Sequence, residues 1–395
     1  MRRGYIRQNL NTINIVIPMV FAHGMVYSQV NEIKAEYIPV SEKIALQGIR
    51  QMYNFQFDES RASFEEFKSI NPNLPSGYFY LVVLDWFTLR MMEDDKQVWR
   101  EMSRKLEEVI TVAERRLEKY PEDALSMVYL GAARGMKARI ALSKNDWIDT
   151  FYDSQAGFTI IKEAMRMDPS MIDPLIGLGV FHYFIAVSNP VIKSLAYMAG
   201  LKSSKEEALG ELHLVAEKGM YASIEARSFL MFVYAYFEEE YSKAYDIADG
   251  LVKEFDNSPY FRGKYADILL MNGMVDKAKF HIDMIPKLAA GLPEKYQREM
   301  KTRVDYLNAE SLRMKGKPRE ALELLNGLAD DYTLEFKFNL GFIYLRTGMA
   351  YDQIGDRKNA KKFYKKAVKL DNYTSAVRHA KSYLKKPYTL NRDGG

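Results

Sequence analysis

The residues best suited to acid-base or metal chemistry in this sequence are five histidines, His23, His182, His213, His281 and His379. Each lies in a different segment. None belongs to a His-Glu-x-x-His type motif, the spacing at which one helix face supplies two metal ligands. His182 stands out because it adjoins Tyr183 and Phe184, and in that aromatic run it reads as a core histidine bonded to backbone. Cysteine is absent, which removes disulfides, thiolate metal sites, thiol nucleophiles and a lipid anchor on a lipobox cysteine. Gly177-Leu178-Gly179 lacks the third glycine and the preceding strand of a dinucleotide loop, and no GKT/S phosphate loop, GxSxG elbow or HExxH pair occurs. Glu238-Glu239-Glu240 reads as a solvated turn before Tyr241. The expectation is a protein without catalysis, cofactor or metal.

Binding chemistry is better represented. Tyr183, Phe184, Phe232, Tyr236 and Phe237 are large rings on segments with helical spacing. Such rings either fill the core between helices or anchor a bound peptide or protein, and these five are the candidate partner-binding residues. The 21 methionines supply adaptable apolar surface that suits a tolerant groove or ordinary packing. A formal charge of +4 over 395 residues is slight, and Lys and Arg are interleaved with Asp and Glu through most of the chain. Nucleic acid is therefore not the expected partner.

The elements that must position these rings are repeated helix pairs. The clearest unit runs from about Gly341 to Asn372, with Tyr344, Gly348, Tyr351, Gly355, Ala360, Tyr364 and Ala367 at spacings that bring two helices into close contact. Small residues at Gly348 and Ala360 let the backbones approach, and Gly355 makes the turn. The signature recurs at Ala309, Gly316, Ala321, Leu325 and Leu328, and at Ala266, Gly273, Ala278, Ile282 and Ile285. Upstream it survives in pieces: Gly48, Ser60, Phe64, Phe67 and Pro72 mark a first repeat, and Tyr120-Pro121 and Asp168-Pro169 close two more helices. A further pair follows around Phe229 to Phe255, with Ala244 and Ala248 as small contacts. The count reaches seven or eight pairs, ending in a basic capping helix from Tyr373 to Leu384. The expected organisation is one all-α array over residues 41–384, with a loose tail over 385–395. Two irregularities interrupt it: a lengthened, glycine-free turn from Ser143 to Thr150, and an apolar insert over 189–204 that is either a helical plug or a lip over the groove.

The amino terminus looks like an address. Arg2, Arg3 and Arg7 precede an apolar stretch from Ile13 to Tyr27, and Val26 and Ser28 stand at the positions a signal peptidase reads before Gln29. The expectation is a signal peptide over residues 1–28, cut near Ser28 and followed by a linker over 29–40; an amphipathic first helix is the alternative. The stretch is shorter than the ~20 residues of a spanning helix. No transmembrane span is expected in the mature chain.

The repeat signature resembles the tetratricopeptide repeat, and its spacing implies an α-solenoid of helix pairs. Leu130-Gly131, Trp147, the run Gly177 to Tyr183 and Lys386-Pro387-Tyr388 together resemble exported bacterial tetratricopeptide proteins and, more distantly, the inclusion-body-clearance repeat family. One use of the fold, the clamp that grips a chaperone's terminal carboxylate, takes Lys, Asn and Arg on inner helices, where the last repeat has Leu345 and Met349. The expected signal peptide and the repeats together point to a periplasmic or extracellular scaffold that holds a protein or peptide in its groove. The competing expectation is a glycan- or lipid-binding repeat protein of the envelope.

Overall fold

The computed structural model describes residues 39–89, 96–143, 146–188, 190–198, 204–328, 337–370 and 373–390. The expected signal peptide lies outside them, as does all of the expected linker except Pro39 and Val40. Every regular element among the described residues is helical, and they divide into two compact units, one ending at Leu230 and the other beginning at Met231.

The first unit holds α1 (Val40–Tyr53), α2 (Phe57–Ile70), α3 (Pro75–Leu89), α4 (Lys96–Lys119), α5 (Ala124–Ser143), α6 (Trp147–Met167), α7 (Leu175–Val187), α8 (Pro190–Met198), α9 (Lys205–Lys218) and most of α10 (Ser223–Val233). The second continues through a π-helical turn (Tyr234–Glu238) into α11 (Tyr241–Glu254), α12 (Pro259–Met271), α13 (Val275–Ala289), α14 (Glu294–Met314), α15 (Pro318–Leu328), α16 (Lys337–Gln353), α17 (Arg357–Leu370) and α18 (Ser375–Lys385). Consecutive helices pack as hairpins, α1 on α2, α5 on α6, α12 on α13, α14 on α15 and α16 on α17.

One turn recurs. Gly273, Gly316 and Gly355 adopt φ of 77°, 75° and 82°, each two residues before the second helix of its pair. The following amide reaches back five residues, as in Met274 to Leu269, Lys317 to Leu312 and Asp356 to Tyr351, which closes the helix end and favours glycine at the left-handed position. The same position is taken by Phe55 (φ 63°) after α1 and by Glu239 (φ 60°) before α11. At Glu239 the bond runs from Glu240 N–H to Tyr234, six residues back: the π turn absorbs one extra residue.

Within a pair, a glycine of the first helix faces a ring of the second. A Cβ at Gly48 would stand 2.5 Å from Phe64, and one at Gly348 only 2.4 Å from Tyr364. Gly348→Ala is therefore expected to lower stability by about 1–3 kcal/mol in denaturant titrations, despite alanine's better helix propensity. Gly250 on α11 has open space around its Cβ position, so Gly250→Ala should raise stability by up to about 1 kcal/mol. Equal effects at the two positions would show that ring contact does not govern the first.

Some boundaries depart from expectation. The Asp146 side chain accepts the Asp149 N–H and starts α6 at Trp147; residues 144 and 145 of the turn before it lie outside the described residues. Part of the expected insert forms α8, where Ala196 is buried and Tyr197 exposed; residues 189 and 199–203 lie outside the described residues. The segment after α18 is held: Tyr388 N–H donates to Asp352 at 2.8 Å and its hydroxyl accepts from Arg313 at 2.9 Å.

Each unit also joins its early elements to its late ones. In the first, the Tyr53 hydroxyl of α1 donates to Glu225 of α10, and Tyr221 donates to Glu42 of α1. In the second, Arg378 of α18 donates to Phe237 O and to Glu239, which also bonds the His379 ring. Those contacts, from His379 first and Arg378 next, hold the Glu239 carboxyl down at about 2. Glu239 is thus a half-buried latch and not part of a solvated turn. No helix among the described residues is long and apolar enough to cross a membrane.

Candidate functional site

The five rings singled out in the sequence are core residues. Tyr183 and Phe184 lie in the first unit, packed on each other and on Phe229 with centroids 5.4–6.3 Å apart. Phe232, Tyr236 and Phe237 lie in the second, with Phe232 5.4 Å from both other rings. All five are buried, Tyr183 and Tyr236 to 0% and 1% exposure. The rings pack between helices. His182 is half-buried and bonds Glu211 at 2.9 Å, a carboxylate in place of the expected backbone partner. Among the described residues no group of three or more His, Asp or Glu could hold a metal ion.

Tyr236 does reach a cavity. A small part-open pocket lies in the second unit on α12, α14 and α16, with Tyr236 of the π turn. Its polar lining is Tyr236, Asp267, Thr302, Arg303, Tyr306 and Asn339; Leu307, Phe342 and Ile343 supply an apolar side. α12 brings Asp267 because the helix is buried on all sides, and its charged residues Arg262, Lys264 and Asp267 are enclosed with it. Lys264 donates to the Tyr236 oxygen at 3.3 Å, and the Tyr236 hydroxyl donates to Asp267 Oδ2 at 2.7 Å. Burial pushes the Asp267 carboxyl up, with the Tyr236 bond working against it. Gly263 then permits the next contact: a Cβ there would lie 2.5 Å from Arg303 Cδ, so only glycine lets the Arg303 side chain pass over α12. Arg303 is held by Glu299 at 3.2 Å.

Three atoms of residues lining this pocket lack a partner within the fold. Asp267 Oδ1, Arg303 Nε and the Tyr306 hydroxyl are buried and make no hydrogen bond among the described residues. An acceptor and a donor left open at one pocket, beside an apolar wall, match a group that both gives and takes a hydrogen bond.

Beneath the pocket lies its support. Arg313 donates to both oxygens of Glu310 at 2.7 Å, and Arg346 of α16 lies 3.2 Å from the same carboxylate. Burial opposes the charge on Glu310, and the two guanidiniums overcome it and hold its pKa below the ordinary value. Neither this triad nor Asp267 and Arg303 forms a motif in the sequence. The available signal was charge without a polar face, since Arg262, Lys264 and Asp267 punctuate an otherwise apolar α12.

Residues 343–374 match the tetratricopeptide repeat family. Among solved structures the chain is similar to human IFIT1, determined as a dimer with PPP-AAAA, at 14% identity over 88% of this chain and 83% of that one, with a TM-score of 0.40. It is also similar to yeast Tom70, at 12% identity over 96% and 72% of the two chains, with a TM-score of 0.37. No curated protein matches the chain. The repeat match and the helix pairs with their shared turn make the fold an all-α, tetratricopeptide-type α-solenoid.

Proposed function

We propose that the chain is an exported, non-catalytic scaffold that holds a segment of a partner protein at the pocket on α12, α14 and α16. The observation that carries this reading is that Asp267 and Arg303, whose buried Oδ1 and Nε lack a partner among the described residues, line one part-open pocket beside Leu307, Phe342 and Ile343. A peptide or side-chain amide supplies one donor and one acceptor, and so complements both atoms without adding charge to an enclosed site. Export rests on Arg2, Arg3, Arg7 and the apolar stretch that follows them, and places the partner in the periplasm or outside the cell.

Proximity labelling with the label fused after Gly395 tests this. The expected result is enrichment of one or a few extracytoplasmic proteins, reduced at least about tenfold by Thr302→Trp, which fills the pocket from a half-buried position. Enrichment unchanged by Thr302→Trp would remove the pocket from the reading. Stabilisation by a sugar or lipid with no protein captured would replace a protein partner with a small ligand.

A further inference from the structure

The charge that is slight over the whole chain is not evenly spread. Between residues 357 and 390 the sequence has eleven Lys and Arg against one Asp, whereas the whole chain has 56 against 52; the remainder is net acidic. Structure sorts these residues onto faces. On α17, Lys358, Lys361, Lys362, Lys365 and Lys369 are all exposed, and at about 100° per residue they fall within roughly 100° of arc. The opposite face buries Ala360, Tyr364 and Ala367. On α18, Lys381 and Lys385 are exposed, with Lys386 just beyond, while Ala376, Val377 and Ala380 are buried. Among the described residues none of these eight lysines joins an ion pair, whereas the neighbouring Arg357 and Arg378 are held by Asp352 and Glu239.

The chemistry of this face narrows its occupant. Arginine forks select carboxylate or phosphate by bidentate geometry; the free cations here are all lysines, which are mobile point charges without that selectivity. From Lys358 to Lys369 the row runs along about 16 Å of helix. A row of ammonium groups on one helix face, unpaired and with no carboxylate among them in the described residues, complements a laterally mobile sheet of phosphates. We propose that the exposed face of α17 and α18 docks on an anionic lipid surface. Lysine clusters of this size bind anionic headgroups through summed attraction, without insertion into the bilayer. This assignment is independent of the pocket and of the partner proposed for it.

Co-sedimentation of the full chain with vesicles tests the proposal, using phosphatidylcholine alone and phosphatidylcholine with about a quarter phosphatidylglycerol. Binding is expected only to the second, and should fade as salt shortens the Debye length below about 10 Å. Changing Lys361, Lys362, Lys365 and Lys369 together to Gln should weaken it at least about tenfold. A variant with the same net charge, Lys43, Lys119, Lys253 and Lys279 changed to Gln, should stay within about twofold of the parent. Equal binding to neutral vesicles, equal loss in the two variants, or no sedimentation at low salt would overturn the proposal. Displacement of the chain from vesicles by a single-stranded oligonucleotide that binds more tightly would assign the face to nucleic acid instead.

Discussion

Glu310→Ala is expected to destabilise the second unit by about 3–5 kcal/mol, because it leaves the guanidiniums of Arg313 and Arg346 facing each other without their shared carboxylate. Glu310 is 1% exposed, so solvent cannot replace what the carboxylate does. The cost belongs to orphaned charge and not to lost attraction. Changing Glu310, Arg313 and Arg346 together to Met should therefore recover most of it, since removing a whole buried charge cluster is often neutral. Urea titration followed by far-ultraviolet circular dichroism checks both variants. All three tryptophans, Trp86, Trp99 and Trp147, precede the second unit, so the Glu310→Ala transition should shift more in circular dichroism than in tryptophan fluorescence. A triple variant as unstable as the single one would mean that the triad stabilises by its net attraction.

The second large effect is expected in the first unit, at Asp173. This carboxylate is 3% exposed and accepts three consecutive backbone amides, Met220 at 3.2 Å, Tyr221 at 2.9 Å and Ala222 at 2.7 Å. It thus caps the chain entering α10 from a distant loop. Asp173→Ala strands all three amides and should cost about 3 kcal/mol or more. Asp173→Asn keeps an oxygen for two of them and turns an amide donor toward the third. Burial raises the Asp173 carboxyl from 3.8 to about 6, with the three amides opposing the shift. The folded state thus keeps a proton between about pH 4 and pH 6 that the unfolded chain has released. Its contribution to stability is complete below about pH 4, declines as pH rises, and is gone above about pH 6. The stability difference between parent and Asp173→Asn should fall by about 3 kcal/mol across that window. A flat difference in denaturant midpoints from pH 4 to pH 7 would show that the amides cancel burial.

Much of the fold was legible because its rules are local. Glycine at the left-handed turn and small residues facing rings are readable signals, and the repeats around Gly273, Gly316 and Gly355 carry both. Where the turn falls on Phe55 or Glu239, the left-handed φ is the same and the letter is not. An inserted residue at the π turn also breaks the regular spacing before α11. The site was hardly legible. Tyr236 was picked for its ring, yet at the pocket it contributes a hydroxyl, and Asp267, Arg303 and Glu310 become partners only when α12, α14 and α16 stack. Large rings could not be sorted into core and surface by type, since a buried and an exposed tyrosine have the same periodicity.

The bonds that join early to late elements change what kind of object each unit is. A linear repeat stack is quasi-one-dimensional: its ends fray, and it can melt one member at a time. Here Tyr53 meets Glu225, 172 residues on, and Arg378 meets Phe237 across 141 residues. Among the described residues, neither unit has a terminal helix free to peel away unless a long-range tie is broken first. Such ties raise contact order, which slows folding, and they couple distant helices into one cooperative transition. The gain is a pocket whose walls do not loosen by fraying, obtained from a repeat architecture that would otherwise melt from its edges.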